Sequence, residues 1–123
     1  MPQKILFIED ESALQKTFQD FLKQEDYEMV SALDGKTGLE MARKEKPDLI
    51  LLDLVLPKMH GFEVLQTLKS DEKTKEIPII VLTNLEAMSD VEKALELGAT
   101  TYLVKANYSL EEVVQKIKKA LNK

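Results

Sequence analysis

Short apolar segments alternate with longer segments of helical periodicity along the whole chain. The apolar segments are four to six residues long and rich in Ile, Leu and Val, which is typical of strands buried on both faces of a parallel sheet. We predict five strands, at Lys4–Ile8, Tyr27–Ala32, Asp48–Leu52, Ile77–Leu82 and Thr101–Val104. Five strands separated by five helices indicate an α/β fold, an open doubly wound parallel sheet with helices on both faces.

The segments between the strands carry apolar residues at the spacing of amphipathic helices. We predict helices that begin near Ser12, span Thr37–Lys46, Gly61–Ser70 and roughly Met88–Leu97, and follow Ser109. Ser12 with Gln15, and Ser109 with Glu112, have the spacing of a capping box at a helix start. Gly98 stands where a left-handed C-cap would end the fourth helix.

Composition narrows the class of protein. A chain of 123 residues, 44% hydrophobic and 32% charged, fits one globular domain over residues 1–123. The absence of Cys excludes disulfides and thiolate metal sites and suits the cytoplasm. Apolar runs are too short to span a membrane, and a net charge of −5 argues against nucleic acid as a direct partner.

Charged and hydroxyl side chains follow four of the predicted strands. Glu9 and Asp10 come after the first strand, Asp53 after the third, Thr83 after the fourth and Lys105 after the fifth. Ligands of open α/β sheets bind beyond the carboxyl ends of the strands, so we expect these side chains to share one site. Strand ends often carry polar residues simply because they contact solvent. This explains any one of these positions, but it explains poorly why three acids occur together.

Three carboxylates at one site repel each other, by roughly 4 kcal/mol for a pair about 4 Å apart at an effective dielectric near 20. They are stable together if they titrate abnormally, pair with a cation or bind a metal. Lys105 offsets part of the charge, and oxygen ligands favour Mg²⁺. Mg²⁺ commonly completes its shell with phosphate oxygens, which makes Asp53 a candidate nucleophile for an aspartyl phosphate. Thr83 and Lys105 would then contact the phosphoryl oxygens.

Four segments in this order resemble the response-regulator receiver domain of bacterial two-component signalling: KILFIEDE, PDLILLD followed by LVLPKMHGFEVL, IIVLT, and GATTYLVK. The resemblance covers essentially the whole chain and implies the strand order 2-1-3-4-5. It implies a switch that takes a phosphoryl group from a sensor histidine kinase or a phosphotransfer protein. The face of helix 4, strand 5 and helix 5 would then change its affinity for a downstream effector protein. Such a domain catalyses its own phosphorylation but is not a turnover enzyme.

The resemblance also implies a role for individual residues at the acidic site. Asp53 would be the phosphoacceptor. Glu9, Asp10, Asp53 and the backbone carbonyl of Val55 would hold Mg²⁺, with Glu9 in place of the commoner Asp.

The resemblance implies further roles on the fourth and fifth strands. Thr83 would be the switch hydroxyl, Lys105 the phosphate-pairing lysine and Tyr102 the aromatic switch. Gly61 matches the glycine that follows the phosphoacceptor loop, and we interpret His60 beside it as an exposed residue without a role.

Two further departures from the family pattern follow the fourth and fifth strands. Asn84 replaces the usual small residue after the switch threonine. Ala106 replaces a proline that usually forms a cis peptide with the lysine. A cis bond without proline costs about 2.5–4 kcal/mol, so we expect the Lys105–Ala106 bond to be trans.

Two other functions stay open at this point. A non-signalling pseudo-receiver would act as an interaction module, but it would be expected to lose one or more of Asp10, Asp53, Thr83 and Lys105, and all four are present. A Mg²⁺ phosphatase of the dehalogenase type would carry a second Asp two residues after its nucleophile, where this chain has Val55.

Overall fold

The computed structural model describes residues 2–122 and contains one sheet of five parallel strands in the order β2-β1-β3-β4-β5. The strands are β1 (Gln3–Ile8), β2 (Tyr27–Ala32), β3 (Leu49–Leu52), β4 (Ile79–Thr83) and β5 (Thr101–Val104). The helices are α1 (Ser12–Gln24), α2 (Gly35–Glu45), α3 (Gly61–Ser70), α4 (Met88–Glu96) and α5 (Leu110–Leu121), and a short 3₁₀ turn (Lys105–Asn107) precedes α5. The predicted fold class and strand order are confirmed.

The core forms two apolar layers, one on each face of the sheet. Alternate strand residues point to opposite faces, so each strand contributes to both layers. One layer packs against α2, α3 and α4 and includes Leu6, Ile8, Ile50, Leu52, Leu65, Leu68 and Ala94. The other packs against α1 and α5 and includes Ile5, Phe7, Leu49, Leu51, Phe18, Leu22, Val113 and Ile117. The continuous apolar runs of the strands follow from this burial on both faces.

Some predicted element boundaries were wrong by a few residues. β4 begins at Ile79 rather than Ile77, because Pro78 has no N–H to donate to a neighbouring strand. α2 begins at Gly35 rather than Thr37, because the Asp34 side chain caps it by accepting a hydrogen bond from the Thr37 N–H at 2.8 Å.

The two predicted capping boxes had opposite outcomes. Ser109 and Glu112 form the complete reciprocal pair at the start of α5. Ser12 and Gln15 do not, because α1 begins at Ser12 itself and its N-cap position, Glu11, makes no side-chain cap hydrogen bond. Gln15 instead turns inward and is buried, for a reason described with the site.

Three further local expectations can be compared with the structure. Gly98 adopts a positive φ of 110° after α4, as a left-handed C-cap requires. The interpretation of His60 was wrong in one respect, because its Nδ1 accepts a hydrogen bond from the Phe62 N–H and caps α3. Within residues 2–122 every peptide bond is trans, which confirms the expectation for Lys105–Ala106.

Over residues 2–122, no helix combines the length and apolar character that crossing a membrane requires.

Candidate functional site

Strand register places the acids beside each other. β1 and β3 pair in parallel with Ile8 opposite Leu52, so the residues that follow, Glu9 and Asp53, leave the sheet as neighbours. The Asp53 N–H donates to the Ile8 carbonyl at 3.0 Å, which extends the ladder by one bond. Although Glu9 and Asp53 carry carboxyl groups, they are only 1% and 4% exposed.

The Lys105 side chain supplies the positive charge of the site. It follows β5, and its Nζ lies 3.0 Å from Asp53 Oδ2 and 2.6 Å from Glu9 Oε1. The contact with Asp53 is a hydrogen bond, whereas the contact with Glu9 is an ion pair that lacks hydrogen-bond geometry. Burial lowers the pKa of Lys105, but its contacts with Glu9 and Asp53 outweigh burial and raise the pKa above its ordinary value.

The Glu9 carboxyl group is deeply buried. Burial raises its pKa to about 7, and the nearby Asp53 charge adds to the rise, while the contact with Lys105 works against it. Glu9 Oε2 accepts a hydrogen bond from the Glu11 N–H at 3.0 Å, but Glu9 Oε1 has no hydrogen-bond partner. Burial of such an oxygen costs free energy, which the ion pair with Lys105 offsets in part.

The residues present fit a magnesium ion. Glu9, Asp10 and Asp53 each offer a carboxylate oxygen, and these oxygens lie within 4.8 Å of one another. Oxygen-only ligands are the set that Mg²⁺ prefers, and Glu9 Oε1, buried without a hydrogen-bond partner beside the Lys105 ammonium, is available as one of them. The acids line an open cleft of about 300 Å³ together with Glu11, Val55, Asn84 and Lys105.

A close backbone contact supports the segment that carries Asp53. Gly61, the first residue of α3, lies so close to this segment that a Cβ there would be 2.2 Å from Leu54 Cα and 2.8 Å from the Asp53 carbonyl oxygen. The Gly61 N–H donates to the Leu54 carbonyl at 3.0 Å. On the other side, the Val55 N–H donates to Asp53 Oδ1 at 3.2 Å, and Val55 is 55% exposed.

Thr83 and Tyr102 both contact the backbone of Leu85 rather than the acids. Thr83 is fully buried at the end of β4, and its Oγ1 accepts a long hydrogen bond of 3.5 Å from the Leu85 N–H. The Tyr102 hydroxyl donates to the Leu85 carbonyl at 2.9 Å. Leu85 therefore connects the two predicted switch residues, although Thr83 does not line the cleft with the acids.

Sequence reasoning missed Gln15 as part of this region. Its Nε2 lies 2.9 Å from the Phe7 carbonyl, 3.0 Å from the Glu9 carbonyl and 3.2 Å from the Ala32 carbonyl. The sequence does place Gln15 on the apolar face of α1, which could have indicated a buried polar residue. The capping-box spacing from Ser12 offered a different explanation for the same glutamine.

A family model describes the chain. Residues 5–118 match the response regulator receiver domain. The chain belongs to the response-regulator receiver family. Its members are receiver domains of two-component signalling, and the acids, the lysine and the threonine of this receiver all lie within the matched range.

Relatives and solved structures agree with this assignment. The receiver is 33% identical to the polar-differentiation response regulator DivK of Brucella anthropi over 98% of both chains. It is 37% identical to the transcriptional regulator RpaA of a Synechocystis strain over 98% of its own length but only 49% of that protein. Its fold matches the receiver domain of a Pseudomonas aeruginosa sensor histidine kinase, with a TM-score of 0.89, 26% identity and full coverage of both chains. In that structure a magnesium ion is coordinated in the active-site cleft.

Proposed function

We propose that this receiver is a phosphorylation switch in which Asp53 accepts a phosphoryl group from the phosphohistidine of a sensor histidine kinase or phosphotransfer protein. The observation that supports it best is the position of Lys105, whose ammonium bridges Asp53 and Glu9. Asp53 is thereby kept beside a cation although it is almost fully buried. This arrangement suits a carboxylate nucleophile that must attack a negatively charged group.

The transfer step needs few groups from the protein. A carboxylate oxygen of Asp53 attacks the phosphorus, a P–O bond forms and the P–N bond to the donor imidazole breaks. The electron pair of the broken bond leaves with the imidazole nitrogen. Lys105 then pairs with a phosphoryl oxygen, because its flexible stem lets the ammonium follow the new charge. A magnesium ion held by Glu9, Asp10, Asp53 and the Val55 carbonyl would neutralise charge on the phosphoryl oxygens.

The switch involves the segment after β4. In the proposed phosphorylated state, the Thr83 hydroxyl donates to a phosphoryl oxygen and its contact with the Leu85 N–H is lost. Since the Tyr102 hydroxyl donates to the carbonyl of the same residue, a movement of Leu85 would reach β5 and the start of α4. Met88 and Leu95 on α4 are 71% and 47% exposed, so this face offers apolar surface to an effector protein.

Intact-mass spectrometry after incubation with acetyl phosphate and Mg²⁺ tests the proposal. We expect the mass of one phosphoryl group to be added to the wild-type chain and removed by hydroxylamine, and we expect no addition to Asp53→Asn. A chain that stays unmodified would point to a non-signalling interaction module. Sustained release of phosphate without a stable adduct would point to a phosphatase.

A further inference from the structure

The amide group of Gln15 is enclosed by backbone. It projects from α1 into the end of the sheet and contacts the carbonyl oxygens of Phe7 in β1, Glu9 after β1 and Ala32 at the end of β2. Gln15 is only 5% exposed, and its own Oε1 has no hydrogen-bond partner. A buried amide with an unsatisfied oxygen is costly, so its donor contacts must compensate for it.

Two hydrogen bonds fix the backbone of Glu9, one on each side, and Gln15 supplies one of them. The Glu9 N–H donates to the Ala32 carbonyl at 2.9 Å, and the Glu9 carbonyl accepts from Gln15 Nε2 at 3.0 Å. The side chain that leaves this fixed backbone is the buried carboxyl group of the acidic cluster. Because Glu9 is only 1% exposed, its side-chain conformation is restricted and the position of its carboxylate follows that of its backbone.

We propose that Gln15 is a positioning residue for the metal site, and that it acts through the backbone of Glu9. This inference rests on the proposed function, because it assumes that Glu9 helps to hold Mg²⁺. Gln15 does not contact the ion itself. It sets the direction in which the Glu9 carboxylate enters the cleft, and therefore how well the oxygens match the geometry of a small cation.

A comparison of two ions separates positioning from simple stabilisation. Mg²⁺ requires near-octahedral ligands at about 2.0–2.1 Å, whereas Ca²⁺ accepts longer and more variable geometry. If Gln15 positions Glu9, its loss weakens Mg²⁺ binding more than Ca²⁺ binding. If it only stabilises the fold, both affinities fall together, because both ions bind the same folded population.

The experiment uses Gln15→Met, which keeps the length of the side chain and removes the donor. Calorimetric titration should give a dissociation constant for Mg²⁺ about tenfold weaker than in the wild type, and a smaller loss for Ca²⁺. Thr74→Val is the matched control. Thr74 is also buried, and its Oγ1 donates to the Leu68 carbonyl at 2.7 Å, but it precedes β4 at the opposite end of the sheet. We expect it to lower stability and to leave the ratio of the two affinities unchanged.

Two results would overturn the inference, and they differ from each other. If Gln15→Met melts at a lower temperature but keeps the wild-type ratio of Mg²⁺ to Ca²⁺ affinity, Gln15 only stabilises the fold. If the wild type itself binds no Mg²⁺, the metal part of the proposed function fails and this inference fails with it. If Gln15→Met does not fold, Gln15→Asn replaces it, because this variant withdraws the amide by one methylene. The ratio of its Mg²⁺ to Ca²⁺ affinity is then compared with that of the wild type.

Discussion

Substitution of Gly61 by Ala should disturb the segment that carries Asp53 directly. The added Cβ would lie 2.2 Å from Leu54 Cα, and both atoms belong to parts of the chain that cannot rotate away. Heavy atoms essentially never approach a Cβ more closely than 3.0 Å, so α3 and the Asp53–Leu54 segment must separate by about 0.8 Å.

Both stability and phosphorylation should respond. Overpacking of this kind costs about 1–3 kcal/mol, which for a domain of this size lowers the melting temperature by roughly 4–12 °C. A misplacement near 1 Å can slow a positioned reaction about 100-fold. We therefore expect Gly61→Ala to be phosphorylated by acetyl phosphate tens of times more slowly than the wild type, measured by intact mass at a temperature where both are folded.

Gly98→Ala is the matched control for this prediction. Gly98 has a φ of 110°, so the substitution strains the backbone, but the atoms nearest the new Cβ belong to the flexible Lys69 side chain, and the residue lies at the amino-terminal edge of β5. It should lower the melting temperature without slowing phosphorylation. If Gly61→Ala melts like the wild type, or is phosphorylated as fast as Gly98→Ala, the close backbone contact does not position Asp53.

Three further predictions concern the metal site, the lifetime of the phosphoryl group and the cap of α5. Mg²⁺ at a tenfold excess over its dissociation constant should stabilise the fold by about 1.4 kcal/mol and raise the melting temperature. Asp10→Asn should abolish this shift, and a wild-type melting curve indifferent to Mg²⁺ would contradict the metal assignment. Val55→Asn should speed loss of the phosphoryl group from Asp53, because Val55 is apolar, exposed beside it and unable to orient a water molecule; an unchanged rate of adduct loss would refute this. Ser109→Ala should cost about 1 kcal/mol in denaturant unfolding by removing the α5 cap, whereas Ser89→Ala should be neutral, since α4 has no side-chain cap.

The sequence was sufficient to predict the sheet and the edge at which the acids gather. Strands such as β3 are apolar at every position, which is typical of short strands buried on both faces of a parallel sheet. Asp53 and Lys105 could be placed at strand ends because each directly follows such a run. These predictions depended on patterns that are local in the chain.

The errors and omissions concern residues whose partners are distant in sequence or are backbone atoms. Gln15 fits a capping pattern locally, but the carbonyl oxygens of Phe7 and Ala32, which only the folded sheet brings to it, determine its position. His60 caps α3 through Nδ1, a use of histidine that its position in a polar loop did not indicate. The connection of Thr83 to Tyr102 runs through the backbone of Leu85, and no pattern of side chains encodes it.

The contacts of Lys105 link the site to the completeness of folding. Glu9 follows the first strand and Lys105 the last, and the ammonium must extend across the end of β4 to reach Asp53 and Glu9. In a chain whose β5 has not yet docked, the carboxylates of Glu9 and Asp53 would lie together without the Lys105 ammonium to offset their charge. Such a chain would have no bridged Asp53 to offer a phosphoryl donor. On the proposed mechanism, acceptance of a phosphoryl group by Asp53 would therefore require that the last strand has already docked.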